Sequence, residues 1–547
     1  MRDEKATVRA EIFGDLAGIV LAPTVNALSD RGVLQLFDQS AGWISFEEIL
    51  NRTRGNRGYL RVAMRLLVSC GWLKQHTDEN GEVVGYAWTE EGKIASKLAP
   101  PLYSEVTSFI PKALYLSNYL FDASDAVLLP SLQEQGLRAK KHWGIDASKD
   151  PVSEKVRDQV CRHLEGVLVG PAMVALARGG VLTRLGEEPV SLDTIPGNRE
   201  MLQCIFDLLA TRGWVVLDQD QVQLTSRGSY AAQIAASYGV TVSYLPTLNS
   251  LSVLLFGNAR TPRVDENGFE LLVDRAMNVW GSGGAHKTYF RKVDEIILDI
   301  FNRPLSTQPR GICDMGCGDG TFLEHLYYVI KNCTSRGKVL DTHPLILVGA
   351  DFNKVARRVT KQTLQRAGIP TYFVVHGDIN RPAQLANEFE KLDLDVHDFF
   401  HVRSFLDHNR VYMPPANYVP GTRKARTTGA FAHLGEEIPA AQLEENLVRH
   451  LRRWAPYTGR FGLLILELHT LSPEVSAAHL GDTPVVAYDG THGYSDQYLV
   501  EIPIFLECAR EAGLKADAKY QATFPPSELA TVSINLFAAP MSPDVSV

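Results

Sequence analysis

The chain has 547 residues, enough for three or four domains. Its 45% hydrophobic and 22% charged content is that of an ordinary globular protein, and a net charge of −8 argues against nucleic acid as the main partner. No run reaches the roughly 18 uninterrupted apolar residues of a membrane span, so no membrane partner is expected. The charged start, Met1-Arg2-Asp3-Glu4-Lys5, lacks a secretory apolar segment, and seven scattered cysteines show no zinc-like pairing, which together point to a reduced, cytoplasmic protein.

The N-terminal half contains a diverged duplication. The stretch from Gly18 through Pro23 to Gly32-Val33-Leu34 returns from Gly166 through Pro171 to Gly180-Val181-Leu182. The stretch from Leu60 to Gly71-Trp72-Leu73 returns from Leu202 to Gly213-Trp214-Val215, and Thr89…Gly92 returns as Thr225…Gly228. Each copy predicts a helix, a short helix, a helix ending at glycine, a two-strand wing and a Thr-x-x-Gly helix start, which is the order of a winged helix. A DNA-reading helix would be basic. Between Leu60 and Leu73 only Arg61 and Arg65 are basic, and the second copy has only Arg212. The predicted boundaries are repeat 1 over 1–105, a helical connector over 106–160, repeat 2 over 161–235, a helical linker or lid over 236–290, and a catalytic domain over 291–547.

The segment from Trp280 through Gly281, Gly283 and Gly284 to Phe290 reads as a glycine-rich loop, either a cofactor cover or a plain hinge. Lys287 and Tyr289 are its candidate contacts. Five apolar runs follow: Ile312–Met315, Leu345–Asp351, Tyr372–Asp378, Phe399–Phe405 and Phe461–Glu467. Continuous apolar runs of this length suit strands buried on both faces of a parallel sheet, with ligands at their carboxyl ends. The first run leads into Gly316-Cys317-Gly318-Asp319-Gly320, and the first three runs each carry an acid in or at their ends: Asp314, Asp351 and Asp378. Taken singly, each acid also reads as a turn or helix cap. The ending Ala530–Ala539 supplies a last, antiparallel strand.

The acid before a G-x-G-x-G turn resembles motif I of the class I S-adenosylmethionine (SAM) methyltransferases. The fold class implied is α/β: a Rossmann-like methyltransferase domain behind a mostly helical N-terminal region with two winged-helix repeats. In that family Asp314 faces the cationic amino acid of SAM, Asp351 takes the ribose and Asp378 the adenine. Gly316, Gly318, Gly320, Phe352, Ile379, Tyr289 and Gly283 complete the implied cofactor set. The winged helices resemble the N-terminal module of small-molecule O-methyltransferases, which implies a homodimer through this region.

After the fourth run stands Arg403-Ser404-Phe405-Leu406-Asp407-His408-Asn409-Arg410, where plant-type O-methyltransferases carry a His-Asp-Trp segment. His469 follows the fifth run, and His492 and Gln497 come later. His, carboxylate and amide together suit a mononuclear iron or manganese ion. With the glycine-rich segments, these motifs resemble the methyltransferases of bacterial polyketide loading modules of the apratoxin and saxitoxin type. That resemblance implies metal-dependent C-methylation of a malonyl-type group on an acyl carrier protein, here reached in trans. His408, His469, His492 and Gln497 are the implied metal ligands, Asp407 a ligand or base, and Arg403 or Arg410 the partner of a substrate carboxylate. The alternatives are methylation of a free small molecule, a 2-oxoacid at carbon or a substrate at oxygen, and a non-catalytic SAM-binding regulator. An insertion over 411–440, with its basic run Arg423-Lys424-Ala425-Arg426, reads as a surface flap, either a docking strip for an acidic carrier or a solvated loop.

Overall fold

A computed structural model describes residues 2–40, 42–79, 82–122, 128–266 and 270–538, without the side chains of 2, 3 and 285–288. It divides into two units. The first holds 1–285 together with 432–437 and 472–495, and the second holds 286–431, 438–471 and 496–547. The second unit begins at 286, where the sequence reading places a catalytic domain over 291–547. The short segments 432–437 and 472–495, expected to belong to it, instead pack with the N-terminal unit.

The first unit contains the two predicted winged helices. The long helix Arg2–Asp30 leads repeat 1, which continues through helices Phe46–Thr53 and Arg57–Ser69 and the wing Leu73–Thr77 and Val83–Trp88. Helix Pro151–Arg178 leads repeat 2, ten residues before its predicted start. Helix Arg199–Thr211 and the wing Val215–Asp218 and Gln221–Leu224 follow. Each repeat builds a three-stranded antiparallel sheet in the same order: 44–45, 83–88, 73–77 in one and 190–191, 221–224, 215–218 in the other. The Thr-x-x-Gly signature has a local cause. Thr89 Oγ1 accepts from Gly92 N, and Thr225 Oγ1 accepts from Gly228 N, capping the next helix in both copies. The two leading helices are long and apolar enough to cross a membrane by length and composition alone, although neither holds 18 uninterrupted apolar residues. Their apolar windows are 72% and 78% buried, because the helices pack against each other.

The glycine-rich segment at 280–290 is not a loop. It lies inside the helix Arg275–Phe301. A Cβ on Gly281 would meet the backbone of Gly239 and Val240, so this glycine lets the helix lie close against the 235–243 segment. Gly283 sits in the same helix within the first unit, and the Lys287 side chain lies outside the described residues.

The second unit is a twisted sheet. Its main strands are β1 (Gly311–Met315), β2 (Ile346–Asp351), β3 (Tyr372–His376), β4 (Phe399–Ser404), β5 (Leu463–Leu468), β6 (Lys515–Ala516) and β7 (Val532–Ala538). Their order is β3-β2-β1-β4-β5-β7-β6, with Ala522–Phe524 also paired to β7. β1 to β5 run parallel, and β7 is antiparallel to β5 and β6. This is the Rossmann-like methyltransferase order. The chain direction across the sheet reverses between β1 and β4, so a crevice opens at their carboxyl ends.

Candidate active site

The turn after β1 is built by three glycines in left-handed backbone, Gly316 (φ 86°), Gly318 (φ 54°) and Gly320 (φ 82°), a conformation that side chains resist. Gly316 and Cys317 donate their N–H groups to Ala350 O at 2.7 and 3.2 Å, tying the turn to β2. Helix Thr321–Cys333 then starts directly from Gly320.

Asp314, at the end of β1, is buried, and its Oδ1 has no hydrogen-bond partner. Burial pushes its carboxyl up to about 8, reinforced by the nearby charges of Asp351 and Asp319. A buried, unpartnered carboxyl of this kind fits a cationic ligand group, and the ammonium of the methionyl part of SAM is such a group. Asp351 accepts from Gly318 N at 3.2 Å and Asn353 N at 2.7 Å, so it braces the glycine turn as well as standing at the β2 edge. Asp378 accepts from Asn380 N at 2.9 Å, and Arg381 lies 3.6 Å away. Phe352 is 71% exposed, with its ring 5.5 Å from that of His376, while Ile379 is buried. Tyr289 packs edge-on against Phe405 and Phe524, with ring centres 5.8 and 5.1 Å away.

An Asp314 carboxyl that pairs with a cofactor ammonium would make cofactor binding depend on pH. A cationic partner favours the ionised carboxylate, so binding below pH 8 must release a proton. SAM affinity is expected to rise with pH between 6 and 8, by about tenfold per unit at the acid end of that window. Titration calorimetry in buffers of different ionisation enthalpy checks this. Asp314→Asn should both weaken binding and flatten the pH dependence.

The segment after β4 holds the largest departure from the sequence reading. Arg403, Asp407 and Arg410, expected to meet substrate, are all at most 2% exposed. Arg403 Nη1 donates to Asp407 Oδ1 at 2.7 Å and its guanidinium lies 4.0 Å over the Trp454 ring. Arg410 donates through Nη1 to the Asp407 carbonyl and through Nε to Asn446 Oδ1, both at 2.8 Å. His450 Nε2 lies 2.9 Å from Asp407 Oδ1. Burial alone would raise the Asp407 carboxyl, but Arg403, then His450 and Arg410, hold it well below the usual carboxylate range. Burial holds His450 neutral, with its imidazole brought down to about 4. The three residues are therefore internal struts of the turn that carries His408.

His408 is held from the next strand. Glu467, at the end of β5 and 1% exposed, accepts from His408 N at 3.0 Å and lies against His408 Nδ1 at 2.5 Å. It also accepts from Leu468 N at 2.7 Å. A carboxylate only accepts, so Nδ1 carries the proton and the basic lone pair belongs to Nε2. Sequence reasoning passed over both Glu467 and His450. The acid closing the fifth apolar run was a usable signal for Glu467, whereas nothing in the helix around His450 announces a buried partner.

Of the expected metal ligands, His469 has both ring nitrogens occupied. His469 is fully buried, with Nδ1 3.0 Å from Val500 O and Nε2 2.7 Å from Ser533 Oγ, so both ring nitrogens are engaged inside the sheet. Burial lowers its imidazole to about 4. His492 Nδ1 lies 2.8 Å from Tyr488 O. Among the described residues, no group of three or more His, Cys, Asp or Glu side chains is arranged to hold a metal ion. In the basic run of the insertion, Arg423 and Arg426 pair with Glu444 and Glu511.

Three family models match the chain in succession. They are the AprA N-terminal domain over residues 8–75, the AprA winged helix domain over 165–258 and the AprA MT2-like domain over 270–535. No curated protein matches it in sequence. Among solved structures, the mitomycin 7-O-methyltransferase MmcR is 14% identical, covering 71% of this chain and 98% of its own, with a TM-score of 0.40. CalO1, a methyltransferase in calicheamicin biosynthesis solved with SAH, is 16% identical over 72% and 100%, with a TM-score of 0.36. The CurJ carbon methyltransferase is 14% identical over 82% and 99%, with a TM-score of 0.33.

Proposed function

We propose that this chain, which belongs to the AprA-type methyltransferases, transfers a methyl group from SAM to the enolisable carbon of a malonyl-type acyl group presented by a carrier protein. The observation that carries this reading is the His408–Glu467 pair at the carboxyl edges of β4 and β5, one strand from the glycine turn. SAM, when bound, supplies a methyl group on a positively charged sulfur, open to in-line displacement. Asp314 would hold its ammonium, and Asp351 and Asp378 would stand at its ribose and adenine.

The protein's own part is proton removal and positioning. Glu467 fixes the His408 tautomer so that Nε2 is the base. Nε2 takes the proton of the reacting carbon, and the buried Glu467 carboxylate stabilises the imidazolium that forms. The carbon's electron pair then forms the new C–C bond as the methyl–sulfur bond breaks with its electrons left on sulfur, and the imidazolium proton leaves to solvent. A carbon flanked by two carbonyl groups is acidic enough to give its proton to an imidazole base. Much of the remaining acceleration comes from holding the reactants in line. With His469 engaged inside the sheet, no step here runs through a metal ion.

The test is an assay with malonyl-loaded carrier protein and SAM labelled with ¹³C in its methyl group, with and without a strong chelator. The expected product carries the label on carbon, at a rate the chelator leaves unchanged. A label on oxygen would replace the carbon reading with O-methylation of a phenol-type substrate. Loss of activity with chelator, restored by iron or manganese, would replace the base with a metal-held enolate. Activity on the free acid but not the loaded carrier would remove the carrier protein.

A further inference from the structure

The two winged-helix repeats touch by exchanging contacts. The alignment that pairs Gly18 with Gly166 also pairs Glu11 with Gln159 and Asp15 with His163. A Cβ on Gly18 would overlap the His163 backbone, and one on Gly166 would overlap the Asp15 backbone, so each glycine receives the counterpart of its own neighbour. Trp72 of repeat 1 donates its indole N–H to Gln159 of repeat 2 at 2.9 Å. The matching Trp214 of repeat 2 donates to Glu11 of repeat 1 at 3.2 Å. The hydroxyl of Tyr103, beyond the wing of repeat 1, lies 2.6 Å from His163 Nδ1, and Tyr238, beyond the wing of repeat 2, donates to Asp15. Residue i meets j′ while j meets i′, which is the signature of a two-fold interface between identical subunits. Here both halves lie in one chain.

The symmetry is broken on the outer faces. In repeat 1, Arg57 and Arg61 of helix Arg57–Ser69 pair with Glu437, and Arg65 pairs with Asp489 at 3.0 Å with both side chains buried. That helix thereby grips both short segments from the later part of the chain. At the position matching Arg65, repeat 2 has Asp207, which pairs with Lys140 at 2.8 Å. There the helix Leu129–Lys140 covers the face, burying Leu132, Gln135 and Ala139. Only repeat 1 therefore carries the segment with His492, and repeat 2 serves as its partner.

We propose that the first unit is a dimer folded within one chain. The second repeat occupies the surface on which a second copy of the chain would otherwise pair, and that face is closed to self-association. The homodimer expected from the sequence is thereby replaced by an internal one.

Two measurements on the full chain decide this. Sedimentation velocity from low to high micromolar concentration should give a single species at the chain mass of 60.5 kDa. A dimer that dissociates on Glu11→Ala or Gln159→Ala would overturn the proposal, because those contacts would then join two chains. A dimer indifferent to both changes would support it, because association would lie elsewhere. Hydrogen exchange of Gly166→Val should show lost protection in Arg2–Asp30 as well as in Pro151–Arg178, and loss confined to the second helix would overturn it. If that variant fails to fold, Gln159→Ala should show the same reciprocal loss in milder form, around Trp72 as well as around its own helix.

Discussion

Replacing His408 by alanine is expected to lower kcat about 10²–10⁴-fold, the range a positioned general base supplies, while leaving SAM affinity unchanged. The separation follows from placement. In the proposed reading SAM recognition falls to the β1–β3 edge through Asp314, Asp351 and Asp378, whereas His408 follows β4 and is held by Glu467 from β5. Glu467→Gln tests the second half of the argument. The amide can keep the shape of the site, but its NH₂ end can face Nδ1 and favour the wrong tautomer, and it cannot balance an imidazolium. A smaller but still large fall in kcat is expected, with KM little changed. A kcat unchanged by His408→Ala would remove the residue from the chemistry altogether.

Much of this unit was legible because a buried parallel sheet writes itself plainly. The runs at Leu345–Asp351, Tyr372–Asp378 and Phe399–Phe405 became β2, β3 and β4 with shifts of one or two residues at their ends. The run at Phe461–Glu467 became β5, starting two residues later and ending one later. The winged helices were legible because two copies share their turn glycines, tryptophans and threonine caps. The failures share one cause, since they depend on what lies opposite a residue rather than beside it. The glycines at 280–284 read as a loop, yet the helix continues through them because the 235–243 segment lies too close for side chains at Gly281 and Gly284. Arg403, Asp407 and Arg410 read as a reactive cluster because sequence shows their proximity and polarity but not their direction. The assignment of 432–437 and 472–495 to the first unit rests on partners hundreds of residues away, as in Arg65–Asp489 and Arg61–Glu437.

Removing the Asp407 side chain is expected to be the most damaging single change to stability in the second unit. Asp407→Ala leaves Arg403 and Arg410 buried without their shared counter-charge, and breaking a buried ion pair in this way costs about 3–5 kcal/mol. The margin is already narrow, because Arg403 Nε and Nη2, Arg410 Nη2 and Asp407 Oδ2 have no hydrogen-bond partner even in the intact protein. The same side chain over-determines the turn in front of His408, where Phe405 holds a left-handed backbone (φ 54°) that a bulky residue resists. Chemical denaturation should therefore show a lower midpoint in Asp407→Ala, and kcat should fall further than occupancy of the folded state explains. Removing the charges together separates the two effects. In Arg403→Leu/Asp407→Leu the stability loss should shrink, because no charge of the pair is left unpartnered. The kcat defect should persist, because the strut that fixes His408 is still gone. Equal recovery of stability and kcat in the double variant would mean that Asp407 acts only through folding.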